Sequence, residues 1–76
     1  MNNRLKDKII IITGGNGLLG KTILKRLKSE GAFCINFEIN HETNKDLSQV
    51  YCDITNTNSI DSGLEMVLKK YKKIDG

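Results

Sequence analysis

Residues 9–20 read Ile-Ile-Ile-Ile-Thr-Gly-Gly-Asn-Gly-Leu-Leu-Gly, so an apolar run leads directly into a glycine-rich turn. A continuous run of β-branched residues predicts a strand that is buried on both faces, as in the middle of a parallel sheet. We place this first strand over residues 8–13. The glycines at positions 14, 15, 17 and 20 then predict a tight turn into a helix.

A first helix is predicted after the turn because four apolar residues recur at helical spacing: Leu19, Ile23, Leu24 and Leu27. Leu18 and Leu19 are both expected on its buried face, and Gly31 is expected to end it. A second strand is predicted over residues 32–38, a polar loop over 40–46, and a shorter third strand over 48–53.

A second helix is predicted to begin near Thr57, where the side chain of Asn56 or Asn58 can cap it. Its apolar face is formed by Ile60, Leu64, Val67 and Tyr71. The order strand, helix, strand, loop, strand, helix predicts an α/β fold with a parallel sheet. Residues 1–76 are therefore expected to form one α/β domain.

Composition limits the classes of function. The 76 residues are 38% apolar and 28% charged, which suits one small globular domain, and no apolar run is long enough to span a membrane. No export signal is visible, so we expect a cytoplasmic protein without a membrane partner. Most of the excess positive charge lies at the end of the second helix, where solvated lysines explain it better than a nucleic-acid partner: Lys69, Lys70, Lys72 and Lys73.

The cysteines and the histidine show no pattern of ligands. Cys34 and Cys52 lie eighteen positions apart, and His41 is the single histidine, so neither a metal site nor a disulfide is predicted. We expect both cysteines to be reduced and buried.

The glycines at 15, 17 and 20 fit the pattern Gly-x-Gly-x-x-Gly, which here lies between a predicted strand and a predicted helix. In that setting the first glycine allows the tight turn, Gly17 lets the backbone approach a pyrophosphate, and Gly20 lets helix and strand pack closely. The amides at the start of the helix then face the phosphates. The pattern therefore predicts binding of a dinucleotide. With it, residues 1–76 are expected to form the first βαβαβα half of a doubly wound, Rossmann-like nucleotide-binding domain, cut before its fourth strand.

Two other interpretations of these glycines stay open. Residues 15–22 also match the triphosphate-binding pattern Gly-x-x-x-x-Gly-Lys-Thr, with Asp53 as the residue that would hold the metal, and a purely structural turn is the third possibility. The dinucleotide is favoured because Glu38 stands eighteen residues after Gly20, at the end of the second strand. The helix after a triphosphate-binding loop begins around the lysine of the motif, which here is Lys21. Leu18 and Leu19 come before it and already fit the apolar face of the helix.

Four segments together resemble the short-chain dehydrogenases/reductases: Thr13-Gly14-x-x-Gly17-x-x-Gly20, Glu38, Cys52-Asp53-Ile54-Thr55 and Lys73-Ile74-Asp75-Gly76. The resemblance runs from about residue 6 to residue 76 and implies a bound nicotinamide dinucleotide. The residues that it implies as cofactor contacts are Gly14, Asn16, Gly17, Leu18, Leu19, Gly20, Glu38, Asp53 and Ile54. Asp53 and the amide of Ile54 would meet the adenine, although Asp53 can also be a polar strand end that caps the next loop.

NAD is expected rather than NADP. A carboxylate at Glu38 can accept hydrogen bonds from both ribose hydroxyls of the adenosine, and it would repel a phosphate in their place. The positions that could offer a compensating cation are Asn16, Ile39 and Asn40, and none is basic.

The branch of the family stays open. The glycine spacing is similar to that of the extended branch, which contains epimerases and dehydratases of sugar nucleotides, whereas Asp-Ile-Thr and Ile-Asp-Gly are similar to the classical oxidoreductases. We favour an oxidoreductase that transfers hydride between NAD(H) and an alcohol or carbonyl substrate. An NAD-dependent nucleotide-sugar epimerase or dehydratase, or a non-catalytic nucleotide-binding fragment, is the alternative.

No catalytic residue is predicted in this sequence. Enzymes of the family use a Tyr-x-x-x-Lys pair, and neither Tyr51 nor Tyr71 is followed by a lysine four residues on. We therefore expect the chain by itself to be an inactive fragment of a longer enzyme. That enzyme is expected to act on a small molecule and to be a homo-oligomer.

Overall fold

The computed structural model describes residues 4–76. They form five elements, which are β1 (Ile9–Thr13), α1 (Leu18–Ser29), β2 (Phe33–Glu38), β3 (Gln49–Tyr51) and α2 (Thr57–Tyr71). The three strands are parallel and lie in the order β1-β2-β3, with the two helices on opposite faces. The predicted alternation of strands and helices is confirmed, and with it the α/β class.

The central strand, β2, is the most deeply buried element. Its residues 34–37 are all buried, because β1 and β3 flank it and a helix covers each face. The prediction that β1 is buried on both faces is wrong for this chain, since only Ile9 is buried and residues 10–12 are half-buried. Position explains the difference, because β1 lies at the side of the sheet and pairs with one full strand.

The main core lies between the sheet and α2. Ile35, Val50 and Val67 have no exposed surface and form its centre. Gly63 lets α2 come close to the sheet, because a Cβ at this position would lie 3.0 Å from the ring of Phe37. The predicted apolar face of this helix therefore packs on the sheet, with Ile60, Leu64 and Tyr71 around the centre.

Helix α1 covers the other face less completely. Leu24 is half-buried, but Leu18 and Leu19 are 89% and 74% exposed, so the prediction that both lie on the buried face is wrong. The helix meets the turn and the sheet along Gly20 and Leu24. Successive residues of a helix point about 100° apart, so this narrow contact stripe leaves Leu18, Leu19 and Ile23 outside it.

The ends of the helices agree with their predicted signals. Asn56 caps α2, since its side-chain oxygen accepts hydrogen bonds from the backbone amides of Asn58 and Ser59 at 2.9 and 3.3 Å. Gly31 follows α1 with a φ of 96°, a left-handed conformation that suits glycine after a helix. The third strand is shorter than predicted, residues 49–51 instead of 48–53, and residues 40–46 form turns without a helix.

Residues 75 and 76 lie beside β1. The amide of Asp75 donates to the carbonyl oxygen of Ile9 at 2.8 Å, and the amide of Ile9 donates to Oδ2 of Asp75 at 2.7 Å. The amide of Ile11 donates to the carbonyl oxygen of Gly76 at 2.8 Å. The outer edge of β1 is thus paired at its beginning.

Cys34 and Cys52 are free and buried, as predicted. Within residues 4–76, no helix is long and apolar enough to cross a membrane. The same residues contain no group of three or more histidine, cysteine or acidic side chains that could hold a metal ion.

Candidate functional site

The glycine turn, residues 14–17, links β1 to α1. Gly14 leaves the strand with a φ of 67°, a left-handed conformation that glycine adopts without strain. Its amide donates to the carbonyl oxygen of Phe37 at 3.4 Å, and the amide of Gly17 donates to the carbonyl oxygen of Gly14 at 3.1 Å. The turn is therefore held by one backbone hydrogen bond within it and by one backbone hydrogen bond to β2.

Close packing explains two of the glycines. A Cβ on Gly20 would overlap the carbonyl oxygen of Gly14 and lie 2.7 Å from the Cα of Gly15. A Cβ on Gly15 would lie 2.7 Å from Oδ1 of Asn36 and 2.8 Å from Cδ1 of Leu24. Helix, turn and strand can approach this closely only because both positions lack a side chain.

Gly17 is the N-cap of α1 and offers no side-chain oxygen to the helix, whose first turn contains no acidic residue. The first amides of a helix have no partner within it, and here they belong to Leu18, Leu19 and Gly20. They carry the positive end of the helix dipole. Free amides at a helix start that follows a glycine turn are a typical arrangement for binding phosphate.

A groove of about 260 Å³ opens beside the turn, at the carboxyl ends of the strands. Its lining comes from the turn, the end of β2 and the segment after β3: Gly14, Phe37, Glu38, Ile39, Cys52, Asp53, Ile54 and Thr55. Ligands of open α/β sheets bind at this edge. The fold thus brings together four of the predicted site residues, which are Gly14, Glu38, Asp53 and Ile54.

The other five predicted residues lie next to the groove and outside its lining. Asn16 and Gly17 belong to the turn, and Leu18, Leu19 and Gly20 form the first residues of α1. The side chains of both leucines are exposed. The predicted site residues are therefore divided between the lining of the groove and the adjoining turn and helix start.

The two acids of the groove have different surroundings. Glu38 is half-buried, and its Oε1 accepts a hydrogen bond from the side-chain amide of Asn40 at 3.4 Å. Oδ1 of Asp53 accepts from the hydroxyl and the backbone amide of Thr55 at 2.6 and 3.0 Å, and these bonds hold the pKa of Asp53 below its ordinary value. One oxygen of Asp53 thus caps the following turn, while Oδ2 has no hydrogen bond among the described residues.

Sequence reasoning missed Asn36. This side chain is 3% exposed and lies beneath the turn, where its Oδ1 accepts from the amide of Gly15 at 2.8 Å. Its Nδ2 donates to Oδ1 of Asn16 at 3.2 Å. A polar residue inside an otherwise apolar strand was the signal that could have found it.

A second depression, of about 490 Å³, lies on the outer face of α2 and is lined by Ser62, Glu65, Met66 and Lys69. A single helix supplies all of its lining, so it cannot enclose a ligand, and it lies apart from the strand ends and the turn. We therefore take the smaller groove as the candidate site.

Comparison with known proteins places this geometry in a family. The family model described as the NAD dependent epimerase/dehydratase family matches residues 10–71. A Campylobacter coli protein named post-translational flagellin modification protein A is 30% identical over 84 residues, which cover 95% of this chain and 33% of that protein. The Arabidopsis thaliana short-chain dehydrogenase reductase 3b is 27% identical over 81 residues, covering 95% of this chain and 32% of that protein.

A solved structure gives the same picture. The chain superimposes on a C-terminal deletion mutant of Thermoplasma acidophilum aldohexose dehydrogenase with a TM-score of 0.82 and 28% identity, covering 93% of this chain and 31% of that one. The chain spans about a third of the length of the curated relatives that it matches.

Proposed function

The chain belongs to the NAD-dependent epimerase/dehydratase family and to the short-chain dehydrogenases/reductases, and from this premise we propose that its turn and groove bind NAD. In the full-length protein the bound nicotinamide would exchange a hydride with an alcohol or carbonyl substrate. Relatives named as dehydrogenases support the oxidoreductase. The observation that carries the proposal is the position of Glu38 and Asp53 in one groove beside the glycine turn.

The residues of the site fit the parts of a dinucleotide. The free amides at the start of α1 suit the pyrophosphate, and Gly14 leaves open space where another residue would carry a Cβ. Ile54 offers an apolar wall and an amide to the adenine, and Oδ2 of Asp53 is available to its exocyclic amine. Glu38 is the acceptor for the ribose hydroxyls.

Glu38 is also the residue that would select NAD over NADP. Charge-assisted hydrogen bonds contribute about 1.5–3 kcal/mol each, and the 2′-phosphate of NADP would remove a donor and add a like charge. A cation beside Glu38 could offset this repulsion and allow NADP to bind. No ion pair of the described residues includes Glu38, so the structure gives no support for such a cation. The lower end of that range corresponds to a preference for NAD of about tenfold or more.

The test is binding of NADH and NADPH to the full-length protein and to three variants, at one ionic strength. Glu38→Ala should weaken NADH about tenfold, because the ribose hydroxyls lose their acceptor, and should improve NADPH, because the like charge is removed. Glu38→Gln keeps an acceptor without the charge, so it should retain part of the NADH affinity and improve NADPH. Asp53→Ala should weaken both dinucleotides alike, because the two share the adenine.

Equal affinities of the wild type for NADH and NADPH would contradict the role of Glu38. A wild-type protein that binds neither dinucleotide would contradict the proposed function as a whole. These two results are separate, since the first still shows a dinucleotide site.

A second candidate is an epimerase or dehydratase of a sugar nucleotide, which the description of the matching family favours. Both candidates would bind the dinucleotide through the same turn and groove. They differ in cofactor balance, because a dehydrogenase accumulates NADH or NAD during turnover whereas an epimerase regenerates the form that it started with. Steady accumulation of NADH by the full-length protein would support the oxidoreductase.

The 76-residue chain by itself is proposed to be inactive. Tyr51 and Tyr71 lack the lysine that accompanies a catalytic tyrosine in this family. Turnover of any alcohol or carbonyl by the isolated chain, above a blank without protein, would contradict this.

A further inference from the structure

Asn36 is a polar side chain that the proposed function does not explain. It is 3% exposed, and the buried residues Cys34, Ile35 and Phe37 surround it along β2. Burying an amide costs free energy unless its oxygen and its nitrogen both find partners. The partners of Asn36 therefore show what this position is used for.

The hydrogen bonds of Asn36 fix which end of its amide points where. A backbone amide can only donate, so the atom that lies 2.8 Å from the nitrogen of Gly15 is the oxygen of Asn36. Its NH2 group then faces Oδ1 of Asn16 at 3.2 Å and Oε1 of Gln49 at 3.4 Å. Both partners present an oxygen, which agrees with the assignment.

The contact with Gly15 holds the turn against the sheet. The amide of Gly15 donates to Asn36, and because Gly15 is buried, loss of this acceptor would leave a buried amide without a partner. The approach is close, since a Cβ on Gly15 would lie 2.7 Å from Oδ1 of Asn36. The Asn36 side chain on β2 thus helps to fix the position of the turn relative to the sheet.

The contact with Asn16 sets which group that residue can offer to a ligand. Oδ1 of Asn16 is engaged by Asn36, so its exposed end is the NH2 group, which donates and cannot accept. The amides at the start of α1 are donors as well. The turn therefore presents donors, and these suit the oxygen-rich ribose and phosphates of a dinucleotide.

We infer that Asn36 is a positioning residue, which fixes the glycine turn through Gly15 and orients Asn16 so that its NH2 group faces the bound dinucleotide. The inference rests on the proposed function, because it assigns the ligand of the turn. Asn36 itself touches no ligand and acts through its two neighbours.

The first test measures the Kd of NADH for the full-length protein and its Asn36→Leu variant, which keeps the number of side-chain heavy atoms and removes all three side-chain hydrogen bonds. The matched control is Cys34→Ala, since Cys34 is 3% exposed and lies two residues away on the same face of β2. Asn36→Leu should weaken NADH about tenfold, as expected when a buried amide loses its acceptor. Cys34→Ala should lower stability and leave the Kd unchanged.

The second test uses Asn16, which is exposed, so that its variants leave the core intact. Asn16→Asp keeps the acceptor for Asn36 and replaces the donor by a negatively charged oxygen. It should weaken NADH more than Asn16→Ala does, because it adds repulsion from the phosphates. Equal or tighter binding by Asn16→Asp would overturn the orientation of Asn16.

The third test needs no ligand. Hydrogen exchange of the Gly15 amide should be faster in Asn36→Leu than in the wild type, and faster than in Cys34→Ala, which keeps the acceptor of this amide. Unchanged exchange and unchanged Kd in Asn36→Leu would overturn the inference while wild-type binding upholds the proposed function. Failure of the wild type to bind NADH or NADPH overturns both, and the exchange rate then reports the turn contact by itself.

Discussion

At the scale of single residues, Gly17 and Gly20 stand three positions apart and meet different surroundings. A Cβ on Gly17 would find its nearest atom, the carbonyl oxygen of Gly14, at an ordinary 3.5 Å. A Cβ on Gly20 would overlap that same oxygen and lie 2.7 Å from the Cα of Gly15. The fold therefore needs glycine at position 20 and tolerates a side chain at position 17.

This contrast gives a prediction. Gly20→Ala should destabilise the full-length protein by about 1–3 kcal/mol, the usual cost of an added methyl group in a tightly packed site, and should also weaken NADH. Gly17→Ala should unfold at the temperature of the wild type or above, because its φ of −74° suits alanine, and should still weaken NADH. Thermal unfolding and NADH titration of both variants check the two halves separately.

Lys21→Ala is the control, since Lys21 is an exposed residue of the same helix. If Gly17→Ala bound NADH like the wild type, the close approach of a pyrophosphate to this residue would be wrong. If Gly20→Ala were as stable as the wild type, the turn would be able to move, and the steric argument would fail.

Part of the candidate site could be predicted from the sequence. Glu38 and Asp53 follow apolar runs, so the sequence predicts that both lie at strand ends, and the parallel sheet then brings them to one groove. Asn36 could not be assigned in this way. Its partners in the turn are Gly15 and Asn16, twenty or more positions away, and no local pattern identifies a hydrogen bond across that distance.

At the scale of elements, the end of α1 is tied to the segment before β1. Glu30, 6% exposed, accepts hydrogen bonds from Nε and Nη2 of Arg4 at 3.1 and 2.7 Å. Arg26 adds an ion pair at 3.1 Å, and the amide of Leu5 donates to the carbonyl oxygen of Glu30 at 2.8 Å. The hydrogen bonds from Arg4 hold the pKa of the Glu30 carboxyl below its ordinary value.

A lowered pKa makes this contact a source of acid sensitivity. Glu30 stabilises the fold fully above its ordinary pKa of 4.5, and the contribution is lost as the pH falls through the lower pKa of the folded state. Glu30→Gln should therefore lower the midpoint of thermal unfolding at pH 7, and its difference from the wild type should shrink toward pH 3.

Glu65→Gln is the matched control for Glu30. Glu65 is exposed on the outer face of α2 and belongs to none of the ion pairs of the described residues. A Glu30→Gln protein that keeps a constant difference from the wild type between pH 7 and pH 3 would contradict the role of the ionised carboxylate.

Elements could be predicted more securely than the faces they bury. The isoleucine run, the glycine turn and the Asn56 cap indicate where strands and helices begin, because those signals are local. Burial of Leu18 and Leu19 was predicted wrongly, since spacing shows that a helix has an apolar stripe and does not show how wide a sheet lies beneath it. The isoleucine run of β1 is also less buried than predicted, because a run of apolar residues does not show that the strand lies at the side of the sheet.

At the scale of the whole molecule, the outer edge of β1 is closed by residues from the other end of the described chain. Asp75 binds both the amide and the carbonyl of Ile9, and Gly76 accepts from Ile11. Lys73 forms an ion pair with Asp75 at 3.1 Å. Sequence reasoning expected a fourth strand to start at residues 73–76, but it did not predict that residues 75 and 76 themselves pair with β1.

Removal of this contact should loosen the start of the sheet. Asp75→Ala should lower the midpoint of thermal unfolding at pH 7, because the amide of Ile9 loses its acceptor at the buried end of β1. The bond from that amide, aided by Lys73, holds the pKa of Asp75 below its ordinary value. The difference between Asp75→Ala and the wild type should therefore disappear as the pH falls through that lowered pKa.

Glu42→Ala, in an exposed part of the loop between β2 and β3, is the control. Faster hydrogen exchange of the Ile9 and Ile11 amides in Asp75→Ala, and not in Glu42→Ala, would locate the loss. Identical unfolding of Asp75→Ala and the wild type at pH 7 would show that the edge is held by the backbone bonds alone.

The same closure has a consequence for biosynthesis. Ile9 and Asp75 are 66 positions apart, so at about 5–20 residues per second a ribosome needs roughly three to thirteen seconds to deliver the outer partner of β1 after β1 itself. During that interval an isoleucine-rich strand has at least one open edge, and an unpaired strand edge is a site where other chains can pair. Slower translation between these codons would lengthen the exposure, and a chaperone that binds the nascent chain would find its target in residues 9–12.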